Sequence, residues 1–200
     1  MIFYLLRIIF LVFILVVVYM FCRSAAKCSK KTSVILGAVF SLVITAGISM
    51  FPVENMVIDF SSPESAFKYS CSGKIEKIIY GSDSCLVVYS DGHGTFKDCV
   101  FLKSEVGYKL PSYFSRSKAA HVFTQNGLFN TYRVNGTGDY YVQGSVPNAE
   151  VEEIAVFDGA GSRIDTDIFR IDHTGFIYFH LSSFQDDYYL VVSGKTQPLS

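Results

Sequence analysis

No aspartate or glutamate occurs before Glu54. Residues 33–52, SVILGAVFSLVITAGISMFP, carry no charge at all, and residues 2–22 carry only Arg7. Each run is about 20 residues, the length a helix needs to cross roughly 30 Å of hydrocarbon. Buried core helices seldom run so far without polar punctuation, so two transmembrane spans are predicted. The second span also lacks acid, histidine and lysine. Pumps, channels and proton relays hold such groups inside the membrane, so transport is not the expected function.

Residues 53–200 lack a basic patch. They hold 12 cations and all 18 acids, a net charge of −6. That argues against a nucleic-acid partner and against electrostatic adsorption of the domain on anionic lipid.

Sequence signatures of chemistry are missing too. His93, His121, His173 and His180 are scattered, and none has metal spacing with another His or a Cys. There is no G-x-S-x-G, no phosphate loop and no H-E-x-x-H. DGHG (91–94), NGT (135–137) and DGAGS (158–162) read as turns; the last lacks the alternating acids of a calcium loop. The acid pairs Glu152-Glu153 and Asp186-Asp187 read as solvent-facing. No catalytic, cofactor-binding or metal-binding residue is assigned, and no enzyme is expected.

What is present is a one-sided connector. CRSAAKCSKK (22–31) holds Arg23, Lys27, Lys30 and Lys31 and no acid. Short loops rich in Lys and Arg stay in the cytoplasm. The N-terminus and residues 53–200 are therefore expected outside, with loop 23–32 inside. Arg7 lies near the outer end of the first span and is expected to snorkel to the headgroups. The competing reading is a cleaved signal peptide, with SAA (24–26) as its cleavage site. It would leave the second span as sole anchor and the large domain in the cytosol, against the charge bias.

Ser33, Gly37, Ser41, Thr45 and Ser49 recur every four residues in the second span. Small residues let membrane helices approach closely, so this stripe is expected to be a helix-contact face. Leu11, Phe13 and Leu15 of the first span would supply knobs. The same stripe is the expected surface for a homo-oligomer.

Pro52 should stop the second span. SSPESAF then reads as a helix start, with Ser62 as N-cap, Pro63 in the first position and Glu64 at the positive end of the dipole. KIEKIIY (74–80), CLVVYS (85–90) and TFKDCVFLK (95–103) read as a three-stranded meander, with a short strand near Tyr108 before Pro111. AHVFT (120–124) and LFNTYRV (128–134) flank the hairpin signal Asn126-Gly127. DYYVQGSV (139–146), VEEIAVFD (151–158), IFRID (168–172), FIYFHL (176–181) and YYLVVS (188–193) complete a sandwich-like set. In FIYFHL, Ile177, Phe179 and Leu181 share one face, and Phe176, Tyr178 and His180 the other.

Cys71, Cys85 and Cys99 lie in this part. Were a disulfide to form, Cys85 with Cys99 is favoured, on neighbouring predicted strands; buried free thiols are the alternative. Cys22 and Cys28 flank the connector and read as reduced thiols.

The expected fold is a membrane-anchored, mainly β protein: a two-helix transmembrane hairpin, then an antiparallel β-rich domain (meander plus sandwich-like) with one short helix. The expected divisions are 1–52, 53–118 and 119–200. FPVEN (51–55) followed by SPESAFKYS (62–70), after two spans joined by a basic loop, resembles a group of small uncharacterised two-span membrane proteins of Gram-positive bacteria. The resemblance implies a bacterial envelope setting and carries over no functional residue.

The expected function is a non-enzymatic envelope protein whose outer β-domain binds a protein, peptide or cell-wall ligand. The 11 Tyr and 12 Phe beyond residue 52 favour it. The alternative is a cell-envelope hydrolase or wall-modifying enzyme with a site assembled from distant residues. A cleft with convergent His and acid groups would favour the enzyme, and an exposed sheet edge would favour binding.

Overall fold

The computed structural model describes residues 2–24, 29–124, 127–146, 154–171 and 175–200. Two apolar helices come first, α1 (Ile2–Ser24) and α2 (Lys30–Met50), and both are long and apolar enough to cross a bilayer. They pack against each other. Ser29 caps α2 by accepting from the Thr32 N–H. Lys30 and Lys31 fall in its first turn, where the helix dipole disfavours cations. Helix stability does not call for them there.

On α1 the less exposed positions are Arg7, Phe10, Leu11, Ile14, Val18 and Cys22; on α2 they include Ser33, Gly37, Ser41, Ile44 and Ile48. The predicted stripe is followed to Ser41, Thr45 is exposed, and the Ser49 side chain lies outside the described ones. Each residue turns a helix by about 100°, so a strict spacing of four drifts about 40° per step off one face. The contact passes to Ile44 and Ile48. Nor is the stripe closely packed. A groove of about 550 Å³ opens beside Ser33, Gly37 and Ser41, with Leu15, Val16 and Tyr19 as its α1 wall. The hydroxyls bond within their own helix: Ser33 to Ser29 O, Ser41 to Gly37 O and Thr45 to Ser41 O. Of the expected knobs, Leu11 lies on the contact face, Leu15 borders the groove and Phe13 is exposed.

α2 ends at Met50, and Pro52 opens a single 3-10 turn, η1 (Val53–Met56). Arg7 does not reach outward for solvent. It pairs with buried Glu54 of η1, because an antiparallel hairpin returns the chain to the level where α1 began. Asn55 next to it bonds both the N–H and the C=O of Leu110, tying η1 to the domain. Helix α3 (Pro63–Ser70) starts as expected. Ser62 accepts from Ser65 N–H, and Ser65 Oγ accepts from Ser62 N–H, a reciprocal cap with Pro63 in the first position.

The first sheet is an antiparallel meander of β1 (Lys74–Tyr80), β2 (Ser84–Ser90), β3 (Phe96–Ser104) and β4 (Gly107–Lys109), in that order. The second holds β5 (Arg116–Thr124), β6 (Gly127–Val134), β7 (Tyr140–Ser145), β10 (Phe169–Ile171) and β11 (Phe176–Leu181), in the order β10-β11-β7-β6-β5. The third holds β8 (Ile154–Phe157), β9 (Arg163–Ile164), β12 (Tyr189–Val192) and β13 (Lys195–Pro198), in the order β13-β12-β8-β9. Every pairing is antiparallel. β9 and β13 are absent from the sequence reading. Of the expected strand 151–158, residues 151–153 lie outside the described residues, as do His173, Cys28, Glu152, Glu153 and the Asn126 hairpin position.

The second sheet is the middle layer. Ile177, Phe179 and Leu181 of β11 pack with Leu190, Val192 and Leu199. Tyr178, on the opposite face, packs with Ile79, Leu86, Val88 and Val100 of the first sheet. The predicted alternation holds, but both faces are buried. The far face of the first sheet is covered by Ala66 and Phe67 of α3, against Cys85, Val87 and Phe101.

The three domain cysteines are free thiols. Cys85 lies opposite Phe101 and Cys99 opposite Val87, so the favoured pair is only diagonal across β2 and β3. The Cys99 thiol is directed at Val87 O, 3.9 Å away, and Cys71, which follows α3, lies 3.6 Å from Ser70 Oγ.

Candidate functional site

The turn between β6 and β7 is NGTGD (135–139). Thr137 N–H donates to Val134 O and Thr137 Oγ accepts from Asp139 N–H, which holds the turn closed. The Asp139 side chain then points inward and is fully buried. Its Oδ1 accepts from Ser82 N–H at 2.8 Å and pairs with His180 Nε2 at 2.8 Å. Its Oδ2 accepts from Asp83 N–H at 2.9 Å and from Ser84 Oγ at 2.7 Å. Ser84 Oγ also lies 3.0 Å from Tyr141 Oη. One carboxylate thus joins the β1–β2 turn of the first sheet to β7 and β11 of the second.

Burial alone would raise the Asp139 pKa. Hydrogen bonds from Ser84, Asp83, Ser82 and His180 outweigh that and hold it below the ordinary carboxylate value. Gly81 leaves room for the arrangement, since a Cβ there would sit 2.6 Å from the Asp139 carboxyl carbon.

Beyond His180 lies a cleft of about 460 Å³, within the size range of ligand sites. Its walls are Lys77 to Tyr80 of β1, Ile164 to Asp167 between β9 and β10, and His180 to Ser182 at the end of β11. Thr166 Oγ donates to His180 O at 2.7 Å and fixes the second wall to β11. Lys77 Nζ lies 3.9 Å from Asp167 Oδ2 and 5.8 Å from the Phe169 ring centre. Among the described strands β1 lies at the edge of the first sheet, beside β2.

Ser84, Asp139 and His180 form a chain with the acid in the middle. The Ser84 hydroxyl donates to the carboxylate and is itself buried. It is therefore not poised for activation by the imidazole, as a hydrolytic triad requires. Among the described residues, no hydroxyl or thiol is hydrogen-bonded to the His180 ring, and no cluster of three metal-ligating side chains occurs. The arrangement is suited to positioning: a rigid corner beside a cleft walled by an edge strand and charges of both signs.

Sequence reasoning assigned no site residue, and of this group only His180 was given a face. The expected turns are present at Asp91, whose carboxylate accepts from His93 and Thr95 N–H, and at Asp158, which accepts from Ser162 N–H. His121 is far from the cleft residues in sequence and pairs with Asn130 across β5 and β6. Asp186 and Asp187 are exposed. No protein family, curated protein or solved structure matches the chain.

Proposed function

We propose that the chain is a two-span membrane protein whose β-domain stands on the extracytoplasmic side and binds an extended polypeptide in the cleft beside β1. The observation that carries this reading is β1, an edge strand among the described residues, forming a wall of a cleft of ligand size. An open strand edge offers backbone donors and acceptors to an added strand, and side-chain pockets supply selectivity. Lys77 and Asp167 at the wall suit a ligand carrying both charges. The two apolar helices and the basic connector support the anchoring and its direction. The likeness of residues 51–70 to two-span proteins of Gram-positive bacteria agrees with a cell-envelope setting.

A photoreactive side chain at Tyr80, in the full-length protein in its native membrane, tests the binding reading. A protease-digestible adduct is expected there and not at Lys97, which is exposed on β3. No adduct at Tyr80, or equal labelling at both positions, would count against it.

One observation favours the hydrolase reading: the Asp139–His180 pair ends at the cleft. A wall-polymer hydrolysis lost in His180→Gln, with the Tyr80 adduct retained, would establish that second reading.

A further inference from the structure

Around the junction of the helices and the domain, Phe51, Met56, Val57, Tyr113 and Phe114 are each 49–80 % exposed. They come from two stretches brought together by the fold. Tyr113 N–H donates to Met50 O, the last residue of α2, at 2.8 Å. The Phe51 and Phe114 rings are 5.8 Å apart, and Tyr113 meets Phe114 edge-on at 5.2 Å. Beside them an apolar slot of about 290 Å³ is walled by Ile9, Phe10 and Phe13 of α1 and by Val53, Met56 and Val57.

We infer that this collar is a second, lipid-binding surface, seated in the headgroup and upper acyl layer of the leaflet that the helices enter. The inference rests on the two-span reading proposed above. Continuity fixes the occupant: half of the slot is built from α1 side chains such as Ile9 and Phe13, which are exposed on the flank of the helix. In a spanning helix that flank faces lipid, so the slot opens to acyl chains. Tyr and Phe belong at this depth, with an apolar ring below and, for Tyr, a hydroxyl in the wet layer. The net charge of −6 on residues 53–200 argues against electrostatic attachment, and the collar does not need it. The domain would then be held flush against the bilayer at Tyr113 and Phe114 rather than tethered above it.

The chain has no tryptophan, so a single introduced indole reports its own depth. Three single variants of the full-length protein, Phe114→Trp, Leu42→Trp and Phe123→Trp, would be reconstituted in phosphatidylcholine vesicles containing brominated lipid. Leu42 lies in the middle of α2 and Phe123 near the far end of β5, about 24 Å along the strand from its start. Phe114→Trp should emit toward the blue and lose most of its emission to lipid brominated near the headgroup end of the chain. Leu42→Trp should be quenched best by bromine near the chain terminus, and Phe123→Trp by neither. Leu42→Trp quenched while Phe114→Trp behaves like Phe123→Trp would overturn the collar and leave the two-span reading standing. Leu42→Trp unquenched would remove both.

Discussion

Arg7 and Glu54 stand 47 residues apart in the chain and share two hydrogen bonds, Nε to Oε1 at 2.7 Å and Nη2 to Oε2 at 3.3 Å. The Glu54 side chain has no solvent exposure. A carboxylate so placed would be costly unpaired, and the forked guanidinium meets both oxygens. The pair connects the start of α1 to the turn that leads into the β-domain.

Removing one partner should therefore cost more than removing both. Arg7→Gln strands a buried charge, for which about 3–5 kcal/mol is expected. The double variant Arg7→Gln/Glu54→Gln should recover much of that. Thermal unfolding of the four proteins of the cycle in detergent measures the coupling. Additive losses would show that the pair carries no joint stabilisation.

Asp139 should make the domain acid-sensitive. Its pKa is lowered on folding, so its contribution is full above the unfolded value of about 3.9 and is lost as pH falls through the lower folded value. Asp139→Asn should cost about 3 kcal/mol near neutral pH, since it turns an acceptor of charged hydrogen bonds into a donor facing donors. The gap between the variant and the parent should narrow below about pH 4. Unfolding midpoints measured across that range check both statements, and a gap independent of pH would contradict them.

Gly81→Ala should act through the same carboxylate. The added Cβ would fall 2.6–2.7 Å from the carboxyl carbon and both oxygens of Asp139, so the turn must move and its two N–H bonds break. Gly138→Ala is the matched control, because its Cβ would meet only Ser182 O at 3.8 Å. Melting temperatures should fall clearly for the first and change little for the second.

Among the domain thiols, Cys71 should alkylate first. The influence of neighbouring Cys99, with Ser70 beside it, outweighs burial and lowers its pKa to about 6. Burial pushes the Cys85 thiol up to about 12. In Cys99→Ala the largest of these influences is gone while burial remains. A rise of the Cys71 pKa from about 6 to the ordinary thiol value of about 8.5 would lower its thiolate fraction near neutral pH from about 90 % to about 3 %. Mass-spectrometric alkylation rates against pH test this order.

Local chemistry made much of the fold legible. The cap of α3 follows from Ser62 and Pro63, and the meander from β-branched runs cut by Gly, Asp and Ser. β13 was missed because KTQP has little strand preference; its pairing is imposed by β12 through the turn at Ser193 and Gly194, with φ of 47° and 76°. That Ser-Gly signal was readable and passed over. The Arg7–Glu54 pair was also readable, since a hairpin of two similar spans brings the first turn of one beside the end of the other. The Asp139 corner was not. Its partners lie 41 to 57 residues away, on two separate segments. Alternation placed His180 on the face opposite Phe179 in β11, but no local pattern says that a sheet lies against each face.

The central claim is that the helices span a bilayer and leave the β-domain outside. In intact cells, with all native cysteines replaced, a thiol reagent unable to cross membranes should label Ser117→Cys, exposed on β5, and not Ser24→Cys, exposed at the end of α1. Labelling at Ser24→Cys with none at Ser117→Cys would place the domain in the cytosol and contradict the account.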